Sequence, residues 1–156
     1  EQCPELLDCL YEDYYHARTN WETNEKDAYY KLPVFSKQDE KISCRYLRHF
    51  INESQKINSV PKLLDKQIQA LNKLEEISNN PDFCVNLDFE PGDIQFLNNF
   101  VTLHSRTGYT DSEEIKKKRK LYRLWLSVPN SRRLNEKFMP IFGSVEAGAL
   151  RGGVIC

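Results

Sequence analysis

The predicted fold is decided by residues 83–106, which read FCVNLDFEPGDIQFLNNFVTLHSR. Short runs in this stretch carry the apolar and β-prone residues that are typical of strands. The sequence Glu-Pro-Gly-Asp at 90–93 is typical of a tight turn. Asn98-Asn99 favours a two-residue hairpin, because asparagine tolerates positive φ angles. The stretch therefore predicts three strands joined by turns: 83–89, 94–99 and 100–106.

The flanking sequence adds further strands and one long helix. Between Pro61 and Asn80, leucine and isoleucine recur at steps of three and four residues, which predicts a helix. A shorter helix is predicted from Pro4, and one helical turn in LNEKF at 134–138. Strands and helices do not alternate regularly, so the order favours a mainly β, antiparallel, jelly-roll-like fold with an inserted helix. The additional strands are predicted at 29–35, 41–50 and 119–128.

The composition is that of one folded domain. The 156 residues are 40% hydrophobic, 12% aromatic and 29% charged, which argues against a disordered chain. Lysine and arginine number 22 and aspartate and glutamate 23, for a formal net charge of -1. This balance does not favour nucleic acid or an anionic membrane as the principal partner. We therefore expect no nucleic-acid or membrane partner.

The cysteines and the ends of the chain bear on location. Five cysteines are irregularly spaced and form no CxxC pair, so we expect reduced thiols in an intracellular, cytoplasmic protein. No apolar run approaches the roughly 20 residues that cross a bilayer, and the N-terminus does not resemble a signal peptide. The chain begins with Glu1 and not with methionine. We therefore expect a processed protein or a piece of a longer one.

Three histidines are candidate ligands. His16 lies in a polar stretch and His49 lies beside Arg48 at the end of the predicted strand 41–50, so both favour a structural or solvated role. His104 lies in the predicted strand 100–106. A histidine in a strand is more often a core or surface residue than a metal ligand. The residues around His104 are therefore needed to distinguish a structural role from metal binding.

The predicted strand 119–128 contains two arginines that are candidate ligands for an anion. A strand period of two places Arg119 and Arg123 on one face with Leu121 and Trp125, with the two arginines roughly 13 Å apart. Burying two guanidinium groups beside apolar residues is costly, and an anionic ligand would offset that cost. The alternative is that KKKRK at 116–120 is simply a solvated run of charge.

Several motifs together resemble one enzyme family. They are VNLDFEPGDIQFLNNFVTLHSRTGYTD at 85–111, KRKLYRLWLS at 118–127 and FGSVEAGALRGG at 142–153, preceded by SKQDEKISCRYLRHFI at 36–51. The set resembles the C-terminal part of the taurine-catabolism-dioxygenase-like (TauD/TfdA) oxygenases, and it covers most of the chain. The resemblance implies a double-stranded β-helix of the clavaminate synthase-like type, here incomplete.

The resemblance also implies cofactors and site residues. Enzymes of this family use iron(II), 2-oxoglutarate and dioxygen, with iron held by two histidines and one carboxylate. His104 matches the distal histidine of that set. Arg119 matches the arginine that pairs with the far carboxylate of 2-oxoglutarate, and Arg123 a second arginine that faces cosubstrate or an acidic substrate. The segment between His104 and Arg119 is a few residues longer than in the bacterial taurine enzyme.

One departure from the family is clear. The other two iron ligands come from an HxD or HxE motif, yet here each histidine is followed two residues later by Arg18, Ile51 or Arg106. We therefore expect residues 1–156 to be the C-terminal part of a larger oxygenase domain, inactive alone, with 144–156 as a mobile tail. The alternative is a truncated, non-catalytic paralogue that acts as a binding module. The oligomeric state stays open.

Overall fold

The structure is a computed structural model that describes residues 3–19 and 28–151. Two antiparallel hairpins and a set of helices make up its regular structure within those ranges. The strands are β1 (Asp13–Ala17), β2 (Tyr29–Pro33), β3 (Phe35–Gln38) and β4 (Lys41–Cys44). The helices are α1 (Pro4–Tyr11), α2 (Arg48–Ser54), α3 (Asp65–Ser78) and α4 (Met139–Phe142), with 3₁₀ turns at Ile115–Lys117 and Glu136–Phe138.

The second hairpin forms at the junction of the predicted strands 29–35 and 41–50, and most of β3 lies in the connection between them. Strand β3 pairs with β4, with Ser36 opposite Ser43. The two residues between the strands, Asp39 and Glu40, both have positive φ angles of 48° and 58°. Such a pair matches the right-handed twist of the flanking strands, although glycine and asparagine adopt it more easily.

Strand β1 and helix α2 were not predicted. β1 pairs with β2 in a register that places Tyr15 opposite Lys31, whereas the sequence predicts a helix from Pro4 followed by a polar stretch around His16. Likewise, the predicted strand 41–50 ends at Cys44, and α2 begins at Arg48. Both differences arise from packing, because α2 lies against β1 and buries Ile51 completely.

The predicted helices α1 and α3 are confirmed. Pro4 lies in the first turn of α1, where its missing N–H costs no hydrogen bond. α3 begins at Asp65, four residues after Pro61, and the Gln67 side chain accepts a hydrogen bond of 3.0 Å from the Leu64 N–H. The two helices pack together and bury Leu10 and Leu71. The predicted helical turn near LNEKF is also present, at Glu136–Phe138.

Separate apolar clusters hold these elements together. The first joins α1, the hairpins and α3, and includes Tyr14, Val34 and Leu71. A second, smaller cluster lies around Ala17 and Ile57. The third consists of Leu32, Leu134, Phe138 and Val145, against which Phe100 and Phe142 pack. Through the third cluster the C-terminal residues are fixed to β2, and Val145, within the predicted tail 144–156, is buried.

The strands predicted in the second half are not formed. Residues 82–128 are all described and contain no α-helix and no hydrogen-bonded strand. Their apolar side chains are largely exposed, for example Val85, Phe96, Tyr122 and Leu124. A strand is stable only when a second strand satisfies its backbone groups. The apolar, β-prone runs of this segment therefore lack a partner strand among the described residues. The double-stranded β-helix implied by the resemblance is neither confirmed nor contradicted.

Of the two turns predicted within this segment, the first is present and the second has a different geometry. Asp93 N–H donates to the Glu90 carbonyl at 3.1 Å, and Gly92 has φ 102°, as the third residue of a type II turn requires. At Asn98 the chain also turns, because its carbonyl accepts from Val101 N–H at 2.9 Å. Asn98 and Asn99 do not adopt the predicted positive φ angles. The Asn98 side chain instead accepts a bond from Phe100 N–H, which stabilises a different turn.

Candidate functional site

The three residues predicted to form the site lie in the exposed segment 82–128. His104, Arg119 and Arg123 are each exposed to solvent. Their side chains form no hydrogen bond or ion pair with one another in the part of the chain that the structure describes. The structure thus leaves each of them exposed and does not bring them together into a closed cavity.

Arg119 nevertheless has a defined local environment. Its backbone N–H donates a hydrogen bond of 2.9 Å to Asp111 Oδ1. Its guanidinium carbon lies 5.4 Å from the centre of the Tyr109 ring, and that of Arg106 lies 4.8 Å from the same centre. Two guanidinium groups therefore share one aromatic ring, which concentrates positive charge beside the predicted cosubstrate ligand.

The shared face predicted for the C-terminal strand is not observed. Leu121, Arg123 and Trp125 are all exposed, and no partner strand defines a face for them among the described residues. The sequence argument for an anionic ligand assumed that both arginines are buried. Because they are exposed in this chain, that cost of burial does not arise. The argument for Arg123 rests on its resemblance to the family.

A second histidine has a more distinctive environment than the sequence suggests. His16 lies in β1, is completely buried and stacks on Tyr30 with ring centres 5.1 Å apart and an angle of 4°. Its Nε2 lies 3.2 Å from the Leu32 carbonyl, so this nitrogen carries the proton. Burial, with a smaller contribution from the positive charge of Arg45, lowers the pKa of His16 to about 4. The imidazole is therefore neutral at physiological pH.

Two arginines lie over aromatic rings in the region of this buried histidine. The Arg18 guanidinium carbon lies 5.3 Å from the centre of the Tyr30 ring, and Arg18 Nη2 donates to the Pro140 carbonyl at 3.5 Å. Arg45 lies over the Phe142 ring at 5.6 Å. The cluster connects the first hairpin with α4, which fits the structural role expected for His16. The sequence could not show its burial, because the covering residues come from distant segments.

The described residues do not provide a complete set of iron ligands. Iron(II) in this type of centre needs three protein ligands, and the described residues contain no group of three histidine, cysteine, aspartate or glutamate side chains that could hold a metal. His104 can supply one such ligand. By contrast, Arg119 fits a carboxylate, because its guanidinium is exposed and is not engaged in any ion pair within the described ranges.

Comparison with known proteins identifies the class. Residues 1–125 match the family described as taurine catabolism dioxygenase TauD, TfdA family. The match covers most of the chain, and the chain belongs to this family. Its members are oxygenases that depend on iron and 2-oxoglutarate, so the resemblance seen in the sequence is confirmed at the level of the family.

Two curated relatives are similar to this chain. "FR-33289 synthase" of Streptomyces rubellomurinus (strain ATCC 31215) is 32% identical over 136 residues, which is 85% of this chain and 40% of the relative. "Taurine hydroxylase-like protein SAT17" of Stachybotrys chartarum (strain CBS 109288 / IBT 7711) is 30% identical over 129 residues, which is 80% of this chain and 31% of the relative. The chain therefore spans less than half the length of either relative.

Other observations bear on partners. In the described ranges no helix combines the length and apolar character needed to span a membrane. Four cysteines in those ranges, Cys3, Cys9, Cys44 and Cys84, are free thiols. Cys84 is exposed and Cys3 is partly buried, whereas Cys9 and Cys44 are buried.

Proposed function

We propose that this chain is the cosubstrate-binding part of an iron(II)- and 2-oxoglutarate-dependent dioxygenase that hydroxylates a small organic substrate. The observation that carries the proposal is the family match over residues 1–125, which includes His104, Arg119 and Arg123. Dioxygen is the oxidant, and 2-oxoglutarate is the cosubstrate. Iron and cosubstrate supply the oxidative chemistry, while the protein binds and orients the reactants.

Each residue has a distinct proposed role. His104 contributes one imidazole ligand to iron. Arg119 binds the far carboxylate of 2-oxoglutarate through its planar pair of N–H donors. Arg123 binds the cosubstrate or an anionic group of the substrate. The exposure of all three side chains supports these roles, because none is withdrawn into the core.

The remaining iron ligands must then come from polypeptide outside residues 1–156. The sequence contains no HxD or HxE motif, and His104 alone cannot define an iron geometry. The relatives are longer than this chain by more than a factor of two, which is consistent with such a source. The exposed apolar side chains of 82–128 would pack against the same polypeptide.

The intracellular, cytoplasmic location and the mobile tail at 144–156 remain predictions.

The absence of an HxD or HxE motif from the sequence also favours a second candidate. A truncated paralogue could keep this part of the fold and serve as a non-catalytic binding module. The coding sequence upstream of Glu1 distinguishes the two. An HxD or HxE codon pattern in frame there supports the enzyme, whereas an initiator methionine directly before Glu1 supports the binding module.

A direct test measures carbon dioxide release from 2-oxoglutarate by the natural full-length protein with iron(II). We expect His104→Ala to abolish iron binding and turnover, and Arg119→Ala to weaken 2-oxoglutarate binding by about a hundredfold, as for loss of a charged hydrogen-bonded pair. Lys120→Ala is the matched control, because it removes a neighbouring exposed cation. Equal behaviour of Arg119→Ala and Lys120→Ala would refute the assignment of Arg119.

A further inference from the structure

The loop that precedes Arg119 is closed on itself. Asp111 and Arg119 are eight residues apart, and an extended chain of that length spans roughly 26 Å. Asp111 Oδ1 nevertheless accepts hydrogen bonds from both the Ser112 N–H, at 3.0 Å, and the Arg119 N–H, at 2.9 Å. Residues 112–118 therefore form an excursion whose two ends meet at one carboxylate.

The excursion has its own internal support. Its middle is the 3₁₀ turn Ile115–Lys117. Glu114 N–H donates to Ser112 Oγ at 3.2 Å, and Lys117 Nζ lies 2.9 Å from Glu114 Oε1. The loop 112–118 can thus accommodate the extra residues between His104 and Arg119, while the Arg119 backbone stays hydrogen-bonded to Asp111.

An aromatic ring then limits where the Arg119 side chain can lie. Arginine is long and flexible, and an exposed guanidinium has many rotamers. Contact with the Tyr109 ring, 5.4 Å from the guanidinium carbon, removes part of that freedom before a ligand binds. Arg106 at the same ring adds a second positive charge to the region that an anion would enter.

We infer that Asp111 and Tyr109 are positioning residues that hold the backbone and the guanidinium of Arg119, respectively, for a dicarboxylate. The inference rests on the proposed function of Arg119. Neither residue touches the cosubstrate in this assignment. Asp111 acts through a backbone hydrogen bond, and Tyr109 acts through contact with the guanidinium.

The Asp111 role predicts two separate effects in the natural full-length protein. Asp111→Ala should remove hydrogen-exchange protection at the Arg119 amide and weaken 2-oxoglutarate binding, measured by calorimetry, by about fivefold. Asp111→Asn keeps the accepting oxygen and should stay within about twofold of the wild type in both measurements. Glu113→Ala is the matched control, because it removes an exposed carboxylate from the same loop.

The Tyr109 role predicts a different pattern. Tyr109→Leu should weaken 2-oxoglutarate binding by about threefold, and Tyr109→Phe should restore it, because the ring and not the hydroxyl contacts the guanidinium. Neither change should remove protection at the Arg119 amide. In both sets, KM for 2-oxoglutarate should rise while kcat changes little.

The outcomes separate this inference from the proposed function. Unchanged protection of the Arg119 amide in Asp111→Ala would overturn the positioning role of Asp111, whatever the measured affinity for 2-oxoglutarate. Lost protection with unchanged 2-oxoglutarate affinity would also overturn it, while a strong effect of Arg119→Ala in the same assay would leave the proposed function intact. If Arg119→Ala itself had no effect on 2-oxoglutarate binding, the proposed function would fail and the inference with it.

Discussion

The buried histidine makes stability depend on acid in a calculable way. His16 has its pKa lowered from 6.5 to about 4 in the folded protein, chiefly by burial. Between these two values the unfolded chain binds more protons than the folded chain, so acid favours unfolding. The contribution of His16 to the free energy of unfolding is therefore complete above pH 6.5 and is lost as the pH falls towards 4.

The magnitude follows from linkage. At pH 5 the histidine of the unfolded chain is almost fully protonated, whereas about one tenth of folded molecules carry that proton. Going from pH 7 to pH 5 should therefore lower the free energy of unfolding by about 2 kcal/mol through this residue. Other groups add their own pH dependence, so a variant must isolate the contribution of His16.

The assay is urea unfolding followed by circular dichroism at pH 7 and at pH 5. His16→Gln removes the titrating group while keeping a side-chain N–H that can reach the Leu32 carbonyl. The loss of stability between the two pH values should be about 2 kcal/mol smaller in the variant than in the wild type. NMR titration of the His16 ring in the wild type gives an independent measurement if the variant does not fold.

Two results would refute this reasoning. One is an equal pH dependence in the wild type and in His16→Gln. The other is a ring that titrates close to 6.5, which would mean that His16 is exposed to water in solution.

Three changes elsewhere test the packing of the fold by urea unfolding at pH 7. Replacing Asp39-Glu40 with Asn-Gly should stabilise the protein by about 1 kcal/mol, because both positions have positive φ angles; a destabilised variant would contradict the observed turn. Phe138→Ala should cost about 4 kcal/mol, because this completely buried ring packs against two other phenylalanines; a loss below 1 kcal/mol would place it outside the core. Ser54→Ala should lower the free energy of unfolding by about 1 to 2 kcal/mol, because the Tyr15 carbonyl then loses the hydroxyl that donates to it at 2.9 Å. The control, Ser59→Ala at an exposed position, should change the free energy of unfolding little.

The sequence predicted those parts of the fold whose signals are local. Helix α3 shows its apolar period, α1 its proline and the Glu90–Asp93 turn its Pro-Gly pair. Strand β1 and helix α2 were missed because their conformations are fixed by mutual packing, which a single segment does not show. The strands of 82–128 were predicted from their apolar and β-prone residues, but such residues do not supply the hydrogen-bonding partner that a strand needs.

The candidate site was predictable in identity and not in geometry. His104, Arg119 and Arg123 follow from motifs along the chain, and the family match supports the resemblance from which they were taken. The roles of Tyr109 and Asp111 depend on a loop whose ends meet, and residue spacing gives no measure of that closure. His16 looked solvated because its sequence neighbours are polar, whereas Tyr30 and Leu32 of β2 cover it.

The positions of the cysteines provide a chemical reporter for the apolar segment. Burial raises the pKa of the Cys44 thiol to about 11, which keeps it protonated and slow to react. Cys84 is exposed and lies at the start of 82–128. A maleimide footprint read by mass spectrometry would therefore modify Cys84 rapidly in this chain and slowly in any assembly that covers the segment. Cys44 would serve as the internal reference for unfolding, so a single labelling experiment separates docking of the segment from loss of the core.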